Sequence, residues 1–136
     1  MNPSDRIPKT GTESETTSEN GLKKEIRPRV KVQLVGTEPF FGPGVKTLLI
    51  CIREQGSVRD ACEKMGLSYS KGRMLLDRVE RELGYIVVER SHGGKNGGSA
   101  RLSRRGLWLL EQYEKLETEM KNAAEKAYGE IFGKDA

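Results

Sequence analysis

Five residues in one short stretch, Ser68, Tyr69, Ser70, Lys71 and Arg73, carry the chain's most concentrated hydrogen-bonding chemistry. Hydroxyls, a phenol and two cations within six positions are groups that bond adaptably and neutralise anions. Crowded onto the first turns of a helix, they suit the base edges and phosphates of a nucleic acid. Ser68, Tyr69, Ser70 and Arg73 are the candidate base-contacting residues, with Arg73 as a reader of guanine. Ser57, Lys71, Arg78, His92, Lys95, Asn96, Arg101 and Arg104 are the candidates for phosphate and wing contacts.

The stretch that must position them runs GSVRDACEKMGLSYSKGRMLLDRVERELG from Gly56 to Gly84. Ser57 is a good N-cap, and Val58, Ala61, Cys62 and Met65 recur at helical spacing. Gly66 ends that helix, since glycine takes the left-handed position after a helix without penalty. Ser68 or Ser70 caps the next one, whose apolar face is Leu76, Val79 and Leu83, and Gly84 stops it. Gly72 on or near that face lets the two helices approach closely. Two helices about a short turn is the helix-turn-helix plan, in which the second helix enters the DNA major groove. The same spacing also describes an ordinary helical hairpin with a solvated face, and these residues alone do not decide between the two.

The following segment favours the first plan. Tyr85 to Arg90 is rich in β-formers, His92 to Ser99 is a basic, glycine-rich loop, and Ala100 to Leu102 reads as a returning strand. Strand, loop and strand after a helix-turn-helix make a wing, which lays cations along phosphates or into the minor groove. The loop does not have the order of a nucleotide-phosphate cradle and does not run straight into a helix. His92 has no evident partner constellation for metal binding or general-base work. The charge agrees with a polyanion partner. From Gly66 to Arg105, nine Lys/Arg against four Asp/Glu leave a net of +5. From Gly106 to Ala136, four against seven leave −3.

The remaining elements follow from spacing. Residues 1–28 lack large apolar side chains and read as a disordered tail. Val30, Val32 and Leu34 alternate with polar residues as a short strand. Phe40 to Gly44 forms a turn into a helix whose apolar face is Val45, Leu48, Leu49 and Ile52, with Gly56 at its end. Ser103 caps a long helix to about Ile131. Along it Leu109, Tyr113, Leu116, Met120, Ala123 and Ala127 fall at alternating steps of four and three, the seam of a helix that pairs with another helix. Leu107 and Leu110 in its first turn pack on their own domain. A second copy is the natural cover for the seam, so a homodimer is expected.

No apolar run approaches a membrane span, and the N-terminus lacks a signal pattern, so a cytoplasmic protein with no membrane partner is expected. Cys51 and Cys62 fall on apolar faces as reduced core residues, with no CxxC and a single histidine. No catalytic pair, metal cluster or cofactor loop appears. The predicted architecture is mainly α with a small β-sheet. A winged helix-turn-helix at 29–103 is followed by a dimerisation helix at 104–131 and a tail at 132–136. A protein-interaction module on the same fold is the alternative, and it does not require the basic balance of helix and wing.

The residues resemble the DNA-binding domain of the ModE family, molybdate-responsive transcription regulators related to the LysR-type winged helix. The resemblance rests on Phe41-Gly42-Pro43-Gly44, Gly56-Ser57, Ser68-Tyr69, Val88-Glu89, the wing from Gly93 through Ser103, Gly106 and Tyr113. It covers about Val30 to Met120. It implies a dimeric regulator whose recognition helices and wings contact double-stranded DNA at a two-half-site operator. Arg73 stands where members often have Trp, so base preference does not carry over. Full-length members carry a molybdate-binding domain, whereas this sequence runs to Ala136. The expectation is a regulator without that domain, with no molybdate site and no cofactor.

Overall fold

The computed structural model describes residues 24–91 and 98–133. The elements run β1 (Leu34–Val35), β2 (Pro39–Phe41), α1 (Pro43–Gln55), α2 (Val58–Met65), α3 (Tyr69–Leu83), β3 (Val88–Ser91), β4 (Ser99–Leu102) and α4 (Arg104–Phe132). The chain is mainly α, as expected, and its β structure is divided between two antiparallel pairs, β1 with β2 and β3 with β4.

The helix boundaries are set by local capping chemistry. Ser57 Oγ accepts the Asp60 amide at 2.9 Å, and Ser68 Oγ accepts the Lys71 amide at 3.1 Å. Of the two serines open as caps for α3, Ser68 takes the role. Each such cap stabilises its helix by about 1 kcal/mol. Gly66 closes α2 at φ +73°, donating its amide to the carbonyls of Cys62 and Glu63, and so makes the tight turn. Gly72 is buried at the α2–α3 crossing, where a Cβ would collide with Cys62 Sγ. Burial pushes the Cys62 thiol pKa up, so this sulfur stays protonated and packs as a small apolar group.

The core gathers Phe41, Leu48, Leu49, Ile52, Leu76, Val79 and Val87 between α1, the helix-turn-helix and the wing base. Phe41 packs on Tyr113 of α4 with ring centroids 4.7 Å apart. The wing strands pair in register from Val88↔Leu102 to Ser91↔Ser99. Ala100 also donates its amide to the Gly56 carbonyl at 2.8 Å, which fixes the wing base against the end of α1.

Three expectations are corrected. The first strand does not lie at Val30 to Leu34. Only Leu34–Val35 finds a ladder, against Pro39–Phe41, so Phe40 and Phe41 sit in a strand rather than a turn. Residues 24–33 carry no regular structure, and the Val32 carbonyl is satisfied instead by the Tyr113 hydroxyl at 2.7 Å. Second, Leu109 and Tyr113 are not free for a dimer seam, because both are buried in this chain's own core, Tyr113 at 2% exposure. Third, Leu107 faces outward at 45% exposure, and Leu110 is the residue that packs inward. The 1–28 tail lies outside the described residues up to position 23. The last three positions of the 132–136 tail lie outside them too, while Phe132 is still helical.

Two measurements check this packing. Gly72→Ala should lower stability by about 1–3 kcal/mol through overpacking against Cys62. Cys62→Ala combined with it should recover most of that loss in urea unfolding, since the truncated side chain vacates the space. Tyr113 gives a pH signature. Burial, with Glu117 nearby, pushes its phenol up to about 12, whereas an unfolded tyrosine ionises near 10. The unfolded state therefore binds fewer protons between these values, and stability falls as pH rises from about 10 to 12. Tyr113→Phe should flatten that component of the slope, while costing about 1 kcal/mol at pH 7 through the lost bond to Val32.

Candidate nucleic-acid interface

Two grooves meet at Tyr69. The first runs between the start of α2, the start of α3 and the wing base. It is lined by Ser57, Val58, Arg59, Asp60, Tyr69, Arg90, Ser91 and Gly98–Ala100. The second runs along α3 past Tyr69, Ser70, Arg73, Met74, Asp77 and Arg81. Spacings of three and four along a helix, Tyr69–Arg73–Asp77–Arg81 and Ser70–Met74–Asp77, place these side chains on one face. The two grooves share Tyr69 and so form one surface from α3 to the wing base.

Tyr69 is the hub. Arg59 lies 5.5 Å from its ring centroid and Arg73 5.9 Å, and Arg73 Nη1 donates to its hydroxyl at 3.5 Å. That hydrogen bond, with Asp77 adding a smaller charge effect, pushes the Arg73 pKa further up and leaves the side chain cationic. Each exposed cation–π contact contributes about 0.5–1 kcal/mol, enough to bias a long side chain toward one direction. Sequence reasoning missed Arg59 and Arg90. Arg59 shares α2 with the turn, but only the fold brings it beside Tyr69. Arg90 follows Glu89 in the β-rich run, and its Nε and Nη2 are buried with no hydrogen-bond partner among the described residues. Arg90 as a whole is half-buried and borders the groove, so an anion there would offer its guanidinium a partner.

Of the anticipated base-reading residues, Tyr69, Ser70 and Arg73 line this surface and Ser68 caps α3 at its edge. Among the phosphate candidates, Ser57 lines the groove while serving as a cap, and Lys71 is exposed but lines neither groove. Three others are placed differently. Arg78 is half-buried and turns to Glu38 on the β1–β2 connection, 3.6 Å away, off the presented strip. Arg101 is exposed but paired with Glu89 across the strands at 3.0 Å. Arg104 lies in a separate groove with Arg53, Leu107 and Trp108. His92, Lys95 and Asn96 lie outside the described residues.

The surface is held from behind by hydrogen bonds that the sequence did not reveal. Glu80 of α3 accepts the amides of Val87 and Val88 at 2.8 and 3.1 Å. Ser103 donates to the Ile86 carbonyl at 2.7 Å while capping α4 through the Gly106 amide. On the flank, Glu82 accepts both the amide and the hydroxyl of Thr37, which hold its carboxyl below the usual range. Among the described residues no three His, Cys, Asp or Glu stand together as a metal site, and no helix is long and apolar enough to cross a membrane.

The order of elements, the tight turn and the antiparallel wing define a winged helix-turn-helix. The DNA-binding domain of CbnR, in complex with DNA, matches with a TM-score of 0.50 at 20% identity, over 63% of this chain and 93% of that one. Full-length CbnR with its target DNA matches at the same score over 28% of its length. CbnR is a LysR family transcriptional regulator, and at 20% identity the likeness of its DNA-binding domain shows the fold alone.

In sequence, the chain is similar to the ModE regulators over part of their length. It is 32% identical over 95 residues to the DNA-binding transcriptional dual regulator ModE of Escherichia coli K12, and 34% over 79 residues to the transcriptional regulator ModE of Yersinia pestis. The first match takes in 70% of this chain and 35% of that relative, so the chain spans about a third of the length of the curated relatives it matches. No protein-family model matches the chain.

Proposed function

We propose that this chain is a sequence-specific DNA-binding transcription regulator that meets a two-half-site operator as a homodimer. The observation that carries the reading is the continuous surface of Tyr69, Ser70, Arg73, Arg59 and Arg90, spanning recognition helix and wing base. A major groove admits one α-helix, and α3 presents donors at its N-terminal half, where base edges are met. Arg59 and Arg90 flank that helix at positions suited to the phosphates beside the groove. Lys71, and Lys95 on sequence grounds, add phosphate contacts.

The dimer reading rests on α4. Its 29 residues extend about 43 Å, and its first turns bury Leu109, Leu110 and Tyr113. Beyond Tyr113 the same face continues outward as Leu116 and Met120, 37% and 39% exposed, then Ala123 and Ala127. Its small and medium apolar side chains at heptad-like spacing suit a helix from a second copy.

Paired substitutions test the DNA face. Arg73→Ala should relax preference at one base pair, costing about 1–3 kcal/mol there and little elsewhere. Arg90→Ala should weaken all sequences alike and lower the slope of log K against log salt by about one. Wild-type binding and slope in both variants would reject this face. For the seam, Leu116→Glu with Met120→Glu should convert a dimer to a monomer in sedimentation equilibrium while leaving thermal unfolding of the winged helix nearly unchanged. A dimer that survives both charges would place the interface elsewhere.

A further inference from the structure

Met74 stands at the middle of the presented strip of α3, 42% exposed, with Tyr69, Ser70, Arg73, Asp77 and Arg81 on the same face. An isolated apolar residue on a surface needs no explanation, but this one interrupts a strip otherwise made of hydrogen-bonding and charged groups. Asp77, one helical turn further along, is flanked by Arg73 and Arg81 four residues to either side, so its charge is offset within the strip. In the DNA-binding reading the middle of this face of α3 meets the floor of the major groove rather than its phosphate walls. On the floor of the major groove the distinctive apolar feature is the C5 methyl of thymine. Methionine is unbranched and adaptable, which suits contact with a single methyl group on a flat base edge.

We propose that Met74 is a specificity-determining residue that packs its thioether against one thymine methyl in each half-site. This rests on the DNA-binding reading above. Because Arg73 and Met74 are adjacent on α3, the thymine lies within one or two base pairs of the guanine that Arg73 reads.

The test uses the full chain and the duplex it selects from a random pool. Deoxyuridine replaces each thymine of that duplex singly, which deletes one methyl group and leaves base pairing intact. The wild-type chain should lose about threefold to fivefold in affinity at one thymine per half-site, the scale of one buried methyl-sized group. Met74→Ala should bind the thymine duplex more weakly and be indifferent to deoxyuridine at that position. Met74→Leu should retain the sensitivity. The proposal is overturned if no single deoxyuridine affects the wild type, or if Met74→Ala is as sensitive as wild type. A wild-type chain that selects no sequence would instead defeat operator recognition itself, and Met74 with it.

Discussion

The Glu80 carboxylate of α3 and the Ser103 hydroxyl at the start of α4 both bond the backbone of Ile86, Val87 and Val88, and the rest of the surface depends on that junction. Residues 84–87 leave α3 without regular structure, and their backbone groups need partners where the segment becomes buried at Val87. Glu80 supplies an acceptor from α3 itself, and Ser103 supplies a donor from the start of α4. Ser103 N–H adds a bond to the Val87 carbonyl, and Gly106 lies so close to that carbonyl that a Cβ there would collide with it. One short segment thus fixes the recognition helix, the wing and the long helix against each other.

The consequence is a fixed angle between α3 and α4. In the proposed dimer, the direction of α4 determines where the second copy places its own α3. The wing base is tied independently, through Ala100 to Gly56, so Arg90 stays next to Arg59 and Tyr69. Cations on a fixed scaffold lose less entropy on meeting a phosphate than cations on loose loops. Similarity to ModE and to the CbnR fold gives this geometry a context, and the chain's own Arg73, Met74 and Asp77 give it individual chemistry.

The parts legible in the sequence were those set by short-range signals. Ser57, Gly66, Ser68, Gly84 and Ser103 act on atoms within one turn of themselves, so helix limits followed from the letters. The tolerance for Gly72 at a close crossing was also visible. What escaped depends on partners far along the chain. Val32 alternates like a strand, yet its carbonyl goes to Tyr113, which lies 81 positions away. Tyr113 and Leu109 fit a heptad, but a heptad does not say whether the cover is another helix or the chain's own core. Arg78 lies on the helix expected to meet DNA and is claimed by Glu38 on the β1–β2 connection. Arg59 and Arg90 joined the surface only when α2 and β3 were brought to Tyr69.

The central claim is that this surface reads DNA sequence. Its most direct test is selection of bound duplexes from a random pool, with the affinity of the selected and random duplexes followed across a salt series. The account predicts two related half-sites about one helical turn apart or a multiple of it, and a steep negative slope of log K against log salt. An unenriched pool with a shallow slope would contradict it and point to a surface for protein partners.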